Sequence, residues 1–331
     1  AVGYRALSAS NTAAGNVALG ANAMLVDTKG ARNVAVGYGT LFAQNFTTAT
    51  NSFNVAVGYD AGTAVTTGLQ NTLVGGGAGD ALTDADSNVA IGYLSLTTDT
   101  LGSRAVAVGQ GALFSQNFTT ATNSYNVGIG YETGGAITTG VQNTLVGSLA
   151  GDALTDADYN VAIGYGALTA DTLGSTSIAI GTNALATQNF TTATNAYNVA
   201  IGDSAGVAVT TGIKNTFIGG LAADSNTIGF NNVAIGYDAL GTNTASGANV
   251  AIGYEALKTY NNTTEASHFN TAVGTQAGKA VTTGVSNTLV GGNAGDALTD
   301  ADHNTAVGGG ALTSDTLGSK STALGKNALY T

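Results

Sequence analysis

One short pattern of apolar and polar positions recurs along the whole chain. It consists of an asparagine, a β-branched residue, a small apolar residue, then Val, Ile or Leu, and finally a glycine. We take this glycine as the anchor of each repeat. Successive anchors lie 17 residues apart, except for four gaps of 21 residues that return every 72 residues, the first from Gly37 to Gly58. A fixed short period predicts a solenoid, in which each coil stacks only on its neighbours.

The repeat predicts one continuous all-β element over residues 1–331. We expect a parallel β-solenoid of 19 coils, with super-repeats at approximately 37–108, 109–180, 181–252 and 253–324. β-Branched residues favour strands, and the chain has no proline to interrupt a backbone hydrogen-bond ladder. Nineteen coils stacked about 4.8 Å apart predict a rod on the order of 90 Å long.

Side chains alternate between the two faces of a strand, so the sequence predicts which residues face the interior and which face outward. The residues one and three places before the anchor, such as Val36 and Val34, are apolar or β-branched and are assigned to the interior. The residue between them would then point outward, yet it is never polar or charged, which predicts that another copy of the chain covers it. Packing of this kind is compatible with a dimer or a trimer. The predicted subunit-interface residues are Ala35, Ala56, Leu73, Ala90, Leu145, Phe217 and Leu289.

Asparagine stands four places before the anchor in 15 of the 18 coils that include this position. Stacked coils would place these amides one above another, so that they form a hydrogen-bonded ladder along the axis. We interpret the column as structural rather than as a ligand contact. Its members include Asn54, Asn71, Asn88, Asn126, Asn143 and Asn160.

The 21-residue coils carry the segment most suggestive of binding. It runs from Gln44 to Phe53, returns at 116–125 and 188–197, and recurs loosely at 260–269. Four extra residues should bulge from the coil and present aromatic, amide and hydroxyl groups. The candidate receptor contacts are Phe46, Asn51, Phe53, Phe118, Asn123, Tyr125, Phe190, Asn195 and Tyr197. A bulge without a binding role, or a latch to a neighbouring chain, is the alternative.

Composition limits the classes of function. The net charge of −11 argues against binding to nucleic acid or to an anionic membrane surface. Cysteine is absent, and no apolar run is long enough to cross a bilayer. Asp80, Asp84 and Asp86 form a candidate Ca²⁺ cluster, but their spacing matches no calcium loop and favours solvated turns, so no cofactor is expected.

Other activities have weak support in the sequence. The two histidines lie in different coils without fixed partners, and no nucleophile or phosphate motif occurs, so an enzyme is not expected. Threonine pairs such as Thr66–Thr67 recur only once per super-repeat, which argues against ice binding. The chain begins and ends inside a repeat, so we expect it to be part of a longer protein.

The phrase from Asn160 to Leu168, and its counterpart from Asn232 to Leu240, resembles the head repeat of YadA-like trimeric autotransporter adhesins and the related repeats of phage tail fibres. The resemblance covers nearly the whole chain and implies a β-roll packed as a parallel homotrimer. These coils are longer than the usual head coil, and a 72-residue super-period is not typical of the adhesins. We therefore expect a non-enzymatic tail or capsid fibre segment on a virion surface that contacts a host-cell glycan or protein. The alternatives are a bacterial cell-surface adhesin head and a purely structural spacer.

Overall fold

The computed structural model describes residues 1–10 and 13–330, and within them it contains strands and turns but no helix. The chain divides into two compact units, Ala1–Ala162 and Ile163–Thr331. Each unit is built of stacked coils about 17 residues long, so the predicted parallel β-solenoid fold is confirmed.

Each coil after the first contributes a three-residue strand that ends directly before its anchor glycine. Short two-residue strands accompany three of the 21-residue coils. In chain order the strands are β1 (Val17–Leu19), β2 (Gly30–Ala31), β3 (Val34–Val36), β4 (Thr50–Asn51), β5 (Val55–Val57), β6 (Thr72–Val74), β7 (Val89–Ile91), β8 (Gly102–Ser103), β9 (Val106–Val108), β10 (Thr122–Asn123), β11 (Val127–Ile129), β12 (Thr144–Val146), β13 (Val161–Ile163), β14 (Gly174–Ser175), β15 (Ile178–Ile180), β16 (Thr194–Asn195), β17 (Val199–Ile201), β18 (Thr216–Ile218), β19 (Val233–Ile235), β20 (Val250–Ile252), β21 (Thr271–Val273), β22 (Thr288–Val290), β23 (Thr305–Val307) and β24 (Thr322–Leu324).

All strand pairs that we describe are parallel and in register with the repeat. In the first unit the three-residue strands stack in the order β1, β3, β5, β6, β7, β9, β11, β12. Val34 pairs with Val17 across a 17-residue step and with Val55 across a 21-residue step, so the longer coil keeps the same register. In the second unit β15 and β17 to β24 stack in the same way. The short strands pair as β2 with β4, β8 with β10 and β14 with β16.

The anchor glycine is required by the stacking of the coils. At Gly75 the φ angle is +139°, and a Cβ atom would lie 2.3 Å from the carbonyl oxygen of Gly92 in the next coil. An L side chain would therefore meet both backbone strain and a steric clash. This contact explains why the glycine recurs in every coil, because each one packs directly beneath the next.

The predicted assignment of the strand faces was wrong. The middle residue of each strand points into the chain's own core, and the two flanking residues point outward. All seven residues predicted as a subunit interface have no exposed surface in the single chain, so they cannot contact another copy. They are Ala35, Ala56, Leu73, Ala90, Leu145, Phe217 and Leu289.

The interior is too narrow for large residues on both of its walls. The wall opposite the strand carries Leu or Gly four places after each anchor, except at Met24 and Ala223. Leu73 fills the space left by Gly62 and Gly79, where a Cβ atom would lie only 2.6 and 2.8 Å from its methyl groups. Where the opposite wall carries Leu113 instead, the strand provides Gly128, and a Cβ there would lie 2.9 Å from the Leu113 Cγ. Large and small residues therefore alternate between facing walls to maintain close packing.

Candidate binding surfaces

The asparagine column is a buried element of the scaffold. The Asn54 Oδ1 accepts a hydrogen bond from the backbone N–H of Asn71 at 2.9 Å, and the Asn54 amide donates to the carbonyl of Gly68 at 2.7 Å. The side-chain contact from the Asn71 amide to the Asn54 oxygen is longer, at 3.4 Å. The ladder therefore runs mainly from side chain to backbone. The same side-chain-to-backbone step recurs from Asn71 to Asn88 and from Asn126 through Asn143 to Asn160.

A buried carboxylate joins each of the first three 21-residue coils to the coil before it. The Asp99 side chain accepts hydrogen bonds from the backbone N–H groups of Gly102 and Phe118 and from the Gln116 amide, at 3.0, 3.1 and 2.6 Å. Gln116 in turn accepts from the amide of Asn126, a member of the buried column. Burial raises the pKa of Asp99, and hydrogen bonds from these donors oppose that shift. Sequence reasoning missed this bridge, although an aspartate ten places before the anchor precedes each of these coils.

The fourth 21-residue coil replaces this bridge with a different set of residues. Asn243 and Tyr260 occupy the positions that Asp99 and Gln116 have at the second 21-residue coil, and His268 replaces Ser124. The Tyr260 hydroxyl lies 2.7 Å from the His268 Nδ1 atom. Burial raises the pKa of Tyr260 to about 12 and lowers that of His268. This pair fills the core rather than a cleft, since Tyr260 has no exposed surface.

The structure divides the candidate receptor residues into two groups. Phe46, Phe118 and Phe190 are only 5–6% exposed, because each ring packs inward beneath its bulge. The prediction that they contact a receptor was wrong. Their amide and aromatic companions remain on the surface: Asn51, Phe53, Asn123, Tyr125, Asn195 and Tyr197.

The exposed aromatics belong to one surface column, five places before the anchor, which we call the ridge. Its members include Arg32, Phe53, Arg104, Tyr125 and Tyr197, and each of them except Arg32 and Arg104 was predicted from the sequence as a contact. The Arg32 guanidinium lies 5.4 Å from the centroid of the Phe53 ring, and that of Arg104 lies 5.6 Å from the Tyr125 ring. Cation–π attraction of this kind favours an orientation in which the ring lies against the guanidinium group.

The outward residues of the three-residue strands form a second surface, which we call the outer face. Here Val, Ile, Leu and Thr side chains stand in two parallel columns, half buried or exposed, and Ile91 and Ile129 are each 39% exposed. Exposed tyrosines directly follow many of the anchors, and Tyr38 stacks on Tyr59 with the ring centroids 5.3 Å apart. The outer face thus carries no charge along successive coils of each unit: the column next to the anchors is Val, Ile or Leu throughout, and the other column mixes Val and Ile with Thr.

Each aspartate of the acidic turns accepts its own hydrogen bond from a neighbouring coil. Asp84 accepts from the Thr67 hydroxyl at 2.5 Å, Asp86 accepts from the backbone N–H of Leu69 at 2.7 Å, and Asp80 accepts from Thr97. In residues 1–10 and 13–330, no group of three His, Cys, Asp or Glu side chains is placed to hold a metal ion. The three carboxylates thus act as local hydrogen-bond acceptors between coils.

Comparisons with protein-family models, curated proteins and solved structures found no match to this chain. Within the described parts of both units, no helix has the length and apolar character needed to span a membrane.

Proposed function

We propose that this chain is a non-enzymatic segment of an attachment fibre, in which parallel copies pack through the outer face and the ridge contacts a host-cell surface. The observation that carries the proposal is the outer face itself. Soluble monomers rarely expose apolar surface over many adjacent strands, and such surface marks an interaction site. A second copy of the same chain offers a complementary partner, because its outer face has the same period and the same apolar columns.

Packing through the outer face replaces the interface inferred from the sequence. The core column is inaccessible, whereas Val, Ile and Leu side chains of the outer face can interdigitate with those of another copy. Each side chain that is removed from water contributes roughly 25 cal/mol per Å² of apolar area, and the repeat multiplies this term over many coils. Three-fold closure and a parallel arrangement follow from the resemblance to the YadA-like head repeat.

The ridge is the surface that we assign to host contact. It presents exposed aromatic residues 72 positions apart at Phe53, Tyr125, Tyr197 and Phe269, with a further one at Tyr159, so similar sites recur along each unit. Multivalent presentation strengthens weak individual contacts, which suits attachment to a cell surface. The long coils and the 72-residue super-period favour a phage tail or capsid fibre over a bacterial adhesin head.

Binding of the recombinant chain to glycan arrays and to panels of bacterial cells tests this proposal. We expect the triple variant Phe53→Ala, Tyr125→Ala, Tyr197→Ala to lose binding while it remains folded. The matched control is the triple variant Thr67→Ala, Thr139→Ala, Thr211→Ala, which changes three exposed residues of the same spacing on another surface. Equal binding by both variants would contradict the role of the ridge, and no binding by the native chain would favour a structural spacer.

A further inference from the structure

The first unit contains a concavity that neither the outer face nor the ridge explains. It holds about 440 Å³ and is open to solvent. Tyr93 and Phe114 provide aromatic walls, Glu132 and Asp152 provide carboxylates, and Gly111 and Gly135 lie between them. Within the described part of the chain, none of its lining residues is Lys or Arg. Its size lies within the range of small-molecule sites.

Two glycines leave the concavity open: Gly135, whose backbone conformation does not require glycine, and Gly111, whose φ of +64° favours it. Gly135 lies five places after its anchor, where the other super-repeats carry Thr63, Val207 and Lys279. A Cβ atom at Gly135 would come no closer than 3.2 Å to another atom, the carbonyl oxygen of Glu132. At Gly111 the nearest atom would be 3.4 Å away. A side chain at Gly135 would need only a small shift of its neighbour, and at Gly111 it would have space but a positive φ, which Glu255 adopts at the equivalent position of the fourth super-repeat. The absence of both side chains leaves the space empty.

The fourth super-repeat has charged side chains at the positions equivalent to this concavity. There Glu255, Lys258 and Lys279 replace Gly111, Phe114 and Gly135. The two lysine ammonium groups bind the Glu255 carboxylate at 2.8 and 2.7 Å. These ion pairs lower the pKa of Glu255 to about 2, chiefly through the hydrogen bond from Lys258. The protein thus places its own ammonium groups at this position in the fourth super-repeat, whereas the second has no lysine there and carries Glu132 where the fourth has Gln276.

We propose that the concavity formed by Tyr93, Phe114, Glu132 and Asp152 binds the ammonium head group of an organic cation. The carboxylates balance the positive charge, and the aromatic rings contact the methyl or methylene groups around the nitrogen, as in other sites for alkylated ammonium ions. A negatively charged ligand would be repelled by the Glu132 and Asp152 carboxylates, since the lining offers it no lysine or arginine. The site depends on the surface of these coils alone and is independent of the proposed attachment function.

Calorimetric titration with choline, and with its neutral isostere 3,3-dimethylbutan-1-ol, tests the proposal on the full chain. We expect one choline site per chain and at least about tenfold weaker binding of the isostere, because only choline carries the charge. Titration with N-acetyl-lysine amide distinguishes a primary ammonium from a quaternary one.

Two variants locate the site. Glu132→Gln removes a charge, and Gly135→Thr fills the space with the residue present at Thr63; each should weaken choline binding by at least about tenfold. Both should unfold at the wild-type temperature, since the coil accepts these side chains elsewhere. The matched control, Asp60→Asn, changes the carboxylate equivalent to Glu132 where Thr63 already occupies the space, and it should leave binding unchanged. Equal binding of choline and its isostere, no choline binding at tens of millimolar, or equal loss in Asp60→Asn would overturn the proposal.

Discussion

At the scale of single residues, the most unusual feature is a carboxylate buried in the interior and surrounded by hydrogen-bond donors. Asp99 has no exposed surface, and Asp171 repeats its environment in the next super-repeat, with Gly174, Phe190 and Gln188 as donors. Burial raises the pKa of both carboxyl groups, because desolvation of the charged form outweighs the hydrogen bonds to it. These residues join adjacent coils at some electrostatic cost.

The raised pKa values set the direction of a pH effect. The folded state binds a proton at Asp99 and Asp171 more readily than the unfolded state does. Their contribution to the free energy of unfolding therefore rises as the pH falls. This increase occurs between the raised pKa of the folded state and the ordinary carboxyl pKa of about 3.9. Replacement of both by Asn removes this gain. We expect the melting temperature of the wild type, relative to the double variant, to increase from about pH 7 to about pH 4. A relative decrease over this range, measured by thermal unfolding, would contradict the assignment.

A paired substitution controls for the lost hydrogen bonds. At neutral pH, Asp99→Asn should cost about 1–3 kcal/mol, because its amide would face the donating amide of Gln116. Adding Gln116→Glu gives residue 116 a carboxylate oxygen that can accept a hydrogen bond from the new amide of residue 99. Its other oxygen can still accept from the amide of Asn126. The double variant should therefore recover part of the lost stability, and a double-mutant cycle measures this coupling.

At the scale of strands and coils, the anchor glycines of successive coils stack so closely that a side chain at an anchor position would clash with the next coil. Gly75→Ala should destabilise the fold by at least about 2 kcal/mol, since it combines an unfavourable φ with a clash against the next coil. The adjacent Gly76→Ala is the matched control, because its Cβ would make an ordinary 3.5 Å contact with Tyr93. Its effect should stay within about 1 kcal/mol. Chemical denaturation of both variants checks the difference, and equal destabilisation would refute this reading of the anchor.

The repeat period predicted the fold class, the strands and their register, because a 17- or 21-residue step leaves only one way to stack identical strands. It did not by itself reveal which strand face is buried. We expected the β-branched Val and Ile residues inside, and we assigned the apolar column of Ala residues between them to a contact with another copy. The evidence for the correct choice lay in two distant columns: Leu73, Leu145, Phe217 and Leu289 occur where the facing wall carries Gly. Such matching of large with small residues marks the walls of one core.

The bulges were only partly predictable for a related reason. Their exposed residues Phe53, Tyr125 and Tyr197 follow from the extra chain length, which places polar and aromatic groups at the surface. The burial of Phe46 depends on Gly30 in the preceding coil, where a Cβ would lie 2.8 Å from the aromatic ring. That contact joins residues 16 positions apart, and a pattern confined to one coil does not contain it. The concavity likewise becomes visible only when glycines from separate coils are compared across super-repeats.

At the scale of the whole molecule, the distribution of charge bears on the proposed packing through the outer face. The chain carries a net charge of −11 but only 9% charged residues, so charge is sparse across its surface. The apolar columns of the outer face are uncharged in successive strands of each unit, where repulsion between copies would be weakest. Acidic residues instead concentrate in the turns, away from the strands. This distribution favours association through the outer face, with the turns facing solvent.

The last prediction separates the outer face from the core. Ile91→Lys together with Ile129→Lys places two charges on the outer face of the first unit, so these charges would lose hydration without a partner if copies of the chain associated there. We expect a trimeric wild type and a folded, dissociated variant by light scattering and circular dichroism. Asn51→Lys, which adds charge on the exposed bulge, should remain trimeric. Ala90→Lys, by contrast, buries a charge inside the chain itself and should prevent folding. A monomeric wild type, or a double variant that assembles like the native chain, would show that the outer face has another partner.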